Sequence, residues 1–185
     1  MTSQLDAYGK AVRLSPVHAA GYRMVQFDLV TLWRIGSGLT EVWDAITRPV
    51  AWPQWWRGLE VAEELDRGGA DGIGSKQRFV WKGALPYRLM TELTISRIEP
   101  LVMIQGEASG DVTGTGIWRF AFEDGITVVR HEWRVRATAP RLKFLASVAR
   151  PLVCWNHGRI MAWGAQGLAR HLGATFVRVE RRARA

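Results

Sequence analysis

At 185 residues with a single cysteine, Cys154, the chain is long enough to bury a core without disulfides or metal. That lone thiol excludes an internal disulfide and any zinc site built on two thiolates, and no run of about 18 apolar residues offers a membrane span. The formal charge of +8 belongs to one end: residues 1–140 hold 16 Lys and Arg against 16 Asp and Glu, while 141–185 hold nine against Glu180 alone.

Residues 1–24 read as an N-terminal extension without the apolar core of a signal peptide, so a soluble, cytoplasmic protein is expected. From Val25 to Ile35, Phe27, Leu29, Thr31, Trp33 and Ile35 alternate with Gln26, Asp28 and Arg34, a pattern blurred by Val30 and Leu32 that still predicts a first strand. Thr40 suits a helix N-cap, with Val42, Trp43 and Ile46 at helical spacing until Arg48-Pro49 stops them. Pro53 suits the first turn of a second short helix and Gly58 its end. On that helix, in the stretch WPQWW, Trp52, Trp55 and Trp56 stand at i, i+3 and i+4 and so share one face.

About six further strands follow. Leu59 to Leu65 leads into the glycine-rich turn RGGADGIG, then Gln77, Phe79 and Trp81 alternate with Lys76, Arg78 and Lys82. GALP turns the chain into Tyr87, Leu89, Thr91, Leu93 and Ile95, and Glu99-Pro100 turns it into LVMIQGEA. SGDVTGTG reads as a turn before Trp118, Phe120 and Phe122. Glu123-Asp124-Gly125 makes a hairpin into the last strand, with Val129, His131, Trp133 and Val135 on one face. From Pro140 to about Gly173 the period is helical, with a kink or break expected at Arg150-Pro151. The second half groups Val153, Cys154, His157, Ile160, Met161, Gly164, Leu168 and Leu172 on one face. Residues 174–185, with Arg178, Arg181, Arg182 and Arg184, read most simply as a solvated, partly disordered basic tail. No helix-turn-helix, zinc-finger or RNP-type motif accompanies them, so no nucleic-acid partner is expected. Contact of the tail with an anionic surface is the other reading.

An antiparallel sheet with one apolar face needs a cover, and the long helix is the large apolar element available. The predicted class is therefore α+β, a curved sheet of about six to seven strands around a C-terminal helix, with two short helices after strand one. The order resembles the helix-grip fold of the START-like (SRPBCC) superfamily over residues 25–173. WRIGSGLTEVWDAITRPVAWPQWW looks like that superfamily's opening. GALPYRL, SGDVTGTGIWRF, VVRHEWRV and WNHGRIMAWGAQGLARHL look like its polyketide cyclase/dehydrase branch. The resemblance implies binding of a lipid, sterol, polyketide, quinone or hormone between sheet and helix, with some members acting as cyclases or aromatases.

The residues support a ligand cavity in their own right. Phe79, Trp81, Tyr87, Leu89, Trp118, Phe120 and Trp133 on the sheet, facing Met161 and Leu168 on the helix, would line an apolar space suited to a small hydrophobic or aromatic ligand. They would equally fill a core. Trp55 or Trp56 is expected at the cavity mouth. His131 and His157 each interrupt an apolar face and could meet across the cavity, as general acid or base or as anchors for a ligand carbonyl or hydroxyl. Neither can be paired with a carboxylate, because Glu132 and Glu92 fall on outward positions. The glycine-rich stretches join strands and open no helix, so no phosphate cradle is present. One cysteine excludes a Rieske centre, and no metal or other cofactor is expected. A binding module, possibly a carrier, and an enzyme of the polyketide cyclase/dehydrase type remain as readings, since fold alone does not choose between them. The sequence leaves the oligomeric state open.

Overall fold

Alternation builds the first strand, β1 (Gln26–Gly36): Phe27, Leu29, Thr31, Trp33 and Ile35 are buried on one face, and the residues between them are half-buried on the other. The computed structural model describes residues 26–140, 142, 144 and 149–184, so the expected extension 1–24 lies outside the described residues. Helix α1 (Leu39–Ile46) follows, capped by Gly38 with Thr40 inside the first turn. The cap moves because Glu41 folds back, its carboxylate accepting hydrogen bonds from the Gly38 N–H and the Ser37 hydroxyl. A 3₁₀ helix spans Pro49–Gln54, with Pro49, and not Pro53, in its first turn.

Six strands come next: β2 (Leu59–Asp66), β3 (Lys76–Lys82), β4 (Arg88–Glu99), β5 (Met103–Gly110), β6 (Val112–Glu123) and β7 (Ile126–Ala137). Helix α2 (Arg150–His171) follows, and β8 (Thr175–Arg184) completes the chain. The strands form one antiparallel sheet in the order β2-β3-β4-β5-β6-β7-β1-β8, curved around α2. Pro151 lies in the first turn of α2, where its missing N–H costs no hydrogen bond, so of the kink or break expected here the structure has the break: Ala149 is not helical and α2 starts at Arg150.

Two further expectations change. SGDVTGTG is not all turn: Val112 to Gly116 belong to β6, and Gly116 is small because the Trp133 ring lies over it, 2.6 Å from where a Cβ would stand. The basic tail is likewise a strand. Leu172 ends α2 and Gly173 takes φ 61°, with Gly173 N–H bonded to Arg170 O and Ala174 N–H to Ala169 O. That Schellman turn sends the chain back along β1, with pairing from Gly36–Thr175 to Asp28–Arg184. Charge did not prevent this, because ladder bonds are made by the backbone and an edge strand tolerates charged side chains.

Helix α2 packs closely against the tryptophans that follow α1. Gly158, Gly164, Ala165, Gly167 and Ala169 are all buried, so the face toward the sheet is made largely of small residues. A Cβ on Gly164 would stand 2.3 Å from Cε2 of Trp56, and one on Gly167 would stand 1.8 Å from the Trp55 carbonyl oxygen. Overpacking of this kind costs about 1–3 kcal/mol, while Gly to Ala in a helix interior returns about 1.

Gly164→Ala is therefore expected to destabilise the protein by about 1 kcal/mol in urea unfolding, with the exposed Gln166→Ala changing it by less than about 0.5. Deletion of residues 174–185 leaves β1 as a bare edge. It should lower the thermal midpoint by roughly 5–10 °C in circular dichroism, where loss of a solvated tail would leave it unchanged.

Candidate functional site

The groove between α2 and the inner sheet face has two ends of different character. At one end the rings are packed solid. Trp33, Trp52, Trp55, Trp56, Phe79, Trp118 and Phe120 are buried in one cluster with Met161 and Leu168, and Trp81 packs against its side. Trp33 meets Trp56 and Trp118 edge-on at 5.2 and 5.3 Å, Phe79 stacks on Trp52 at 5.4 Å, and Phe120 meets Trp43 at 5.0 Å. Trp56 Nε1 donates to the Ile160 carbonyl of α2 at 2.9 Å. These side chains thus hold the helix on the sheet. Of the WPQWW tryptophans, Trp55 borders a shallow recess of about 270 Å³ shared with Gln54, Gly167, Arg170 and His171, and Trp56 is 1% exposed.

The other end is looser. Tyr87, Leu89, Trp133, Val153 and Cys154 are only partly buried here, around Phe27, Leu29 and Val135. His131 and His157 lie at the boundary between the two ends. Register places His131 opposite Thr31 of β1 on one side and Trp118 of β6 on the other. Its ring lies 4.1 Å from Trp118 and 5.8 Å from Trp133, and the His157 ring lies above it, nearly parallel, at 6.3 Å. The sequence expectation that the two histidines face each other from opposite walls describes this geometry.

Their electrostatics are distinctive. His131 Nδ1 and His157 Nε2 are buried and have no hydrogen-bond partner among the described residues. Burial, reinforced by His157, holds His131 well below the ordinary 6.5. Burial and then the positive Arg181 lower His157 to about 4. Both imidazoles are neutral at neutral pH, each with a ring nitrogen free to donate or accept according to tautomer. Among the described residues no carboxylate completes a dyad with either: Glu132 lies on the outer face among Arg119, Arg130 and Arg134, and Glu92 binds Lys76 and Arg78.

Two participants escape the sequence reading. Asn156, buried beside His157, accepts from the Ala84 and Leu85 N–H groups at 2.8 and 3.2 Å and donates to the Tyr87 hydroxyl at 3.4 Å. It thereby ties the GALPY loop to α2 and fixes Tyr87, whose hydroxyl pKa burial pushes up. WNHG contains the signal, but an Asn beside a His carries no periodicity to mark it. Arg181 reads in sequence as part of a tail, and pairing places it opposite Thr31, on the inner face.

No protein-family model matches the sequence, and no curated protein matches it either. Solved structures do. A START superfamily protein from Mycobacterium smegmatis superposes with TM-score 0.64 at 13% identity, covering 80% of this chain and 97% of that one. The Zhui aromatase/cyclase from Streptomyces sp. R1128 superposes with TM-score 0.63 at 15% identity, over 80% and 94%. A protein from Thermus thermophilus gives 0.60 at 17%, over 78% and 98%. At such identities the likeness is one of fold, and it is the helix-grip fold that the sequence resembles. Among the described residues no helix is long and apolar enough to cross a membrane.

The histidines have a measurable consequence. Below pH 6.5 the unfolded chain takes up a proton that folded His157 refuses until about pH 4. Stability is therefore full above 6.5 and falls toward pH 4, by on the order of 3 kcal/mol for His157. Urea unfolding between pH 7 and 4 should show this slope, reduced in His157→Gln.

Proposed function

We propose that the protein binds a small apolar, ring-bearing ligand at the looser end of the groove, among Tyr87, Leu89, Trp133, His131 and His157. The observation that carries this reading is a pair of neutral histidines, buried His131 and half-buried His157, each with a buried ring nitrogen that has no hydrogen-bond partner among the described residues. A buried polar group without a partner is costly, and a ligand hydroxyl or carbonyl would supply the missing hydrogen bond. The partly buried aromatic surface beside them supplies the apolar contact that a small-molecule site uses. Phe79, Trp81, Trp118, Phe120, Met161 and Leu168 act in this reading as the floor that fixes the geometry, and Trp55 and Trp56 as the clamp on α2.

The same histidines favour a second reading, an enzyme of the aromatase/cyclase kind. A neutral imidazole can take a proton from an enolisable carbon and return it to a carbonyl oxygen, and two such groups 6.3 Å apart could serve opposite ends of one proton relay.

Native mass spectrometry of protein purified from its own host is expected to detect a bound molecule of a few hundred daltons. Trp133→Ala should weaken binding of N-phenyl-1-naphthylamine, an uncharged aromatic probe, by about tenfold in fluorescence titration. Absence of both a co-purified ligand and saturable probe binding would defeat the proposal. If the co-purified molecule is recovered unchanged, and the His131→Ala and His157→Ala variants still retain it, the enzyme reading fails and the binding one stands.

A further inference from the structure

Strand β8 brings one cation to the inner side of the sheet. Arg181 pairs with Thr31, which pairs with His131, which pairs with Trp118, so a single row runs Arg181, Thr31, His131, Trp118 across four strands. The Arg181 side chain then crosses α2 at Gly158. A Cβ on that glycine would stand 2.5 Å from Nη1 and 3.0 Å from Cδ, so the buried glycine makes the passage. The next helix residue is His157, which feels the guanidinium charge.

Most arginines near this sheet edge are satisfied: Arg119, Arg130 and Arg134 surround Glu132, and Arg34 faces Glu180 at 3.9 Å. Arg181 makes no ion pair or hydrogen bond among the described residues, and it keeps contact with solvent. Its side chain is exposed, and the neighbours it has on this side, Thr31 by register, Gly158 by contact and His157 through its charge, are neutral. A guanidinium in that setting is complemented by an anion, and its planar fork matches a carboxylate or another oxyanion.

We propose that Arg181 is a specificity-determining residue that selects ligands carrying an anionic group, a carboxylate or similar oxyanion, beside the ring system held near the two histidines. This rests on the ligand-binding reading above and names the ligand class. It also gives the C-terminal strand a role in the site.

Two probes with one ring system separate the claims: 1-anilinonaphthalene-8-sulfonate carries an anion, and N-phenyl-1-naphthylamine does not. The protein should bind the sulfonate more tightly. Arg181→Gln should weaken the sulfonate by about tenfold while leaving the neutral probe within about twofold, and Arg181→Lys should restore much of the loss. NMR titration of His157 should move to higher pH in Arg181→Gln, since a neighbouring positive charge has gone, and the spectrum also reports whether the variant is folded. Neutral-probe binding with sulfonate affinity indifferent to Arg181 overturns this inference and leaves the ligand-binding reading intact. An equal loss for both probes overturns it too, as does an unmoved His157. Failure of the unmodified protein to bind either probe defeats both.

Discussion

The contact on which the rest of the structure depends is the one between the tryptophans after α1 and the bare backbone of α2. Trp56 donates its indole N–H to the Ile160 carbonyl and lays its ring where a side chain on Gly164 would be, and the Trp55 carbonyl does the same at Gly167. Together they set the depth and the rotation of the helix. Rotation is the important part, because one turn N-terminal to these contacts it decides that His157 faces His131 and that Asn156 reaches the GALPY loop. A helix packed through bulky side chains would stand higher above the sheet and hold its histidine less closely.

The groove thus divides its labour along its length. The tryptophan end supplies rigidity through edge-on and stacked rings, which contribute beyond simple area burial. The histidine end keeps its aromatic surface incompletely covered and its imidazoles uncharged. A site built on strands and a locked helix holds its polar groups in place more exactly than one built on loops.

Much of this was legible in the amino-acid order. Period-two alternation in β1, β3, β6 and β7 specified which side chains face inward, and the switch to a helical period specified α2 as the cover. The facing of His131 and His157 followed, because each interrupts an otherwise apolar stripe. What could not be read depends on contacts distant in sequence. Aromatics suited to lining a cavity are the same residues that fill a core, and only the packing of Trp52 on Phe79 and Trp33 on Trp118 shows that they fill it. Gly164 and Gly116 could be recognised as small but not matched to Trp56 and Trp133, and β8 was hidden because its composition is that of a solvated tail.

The order of strands also has a consequence for how the molecule is made. β1 is the first strand to be synthesised, yet its two neighbours in the sheet are β7 and β8, the last two. Until β7 is made β1 has no partner, until α2 is made its apolar face has no helix above it, and until β8 is made its other edge stays open. Pairings this remote in sequence close late and slowly. Loss of β8 would therefore expose an edge of the earliest described strand rather than merely shorten the latest.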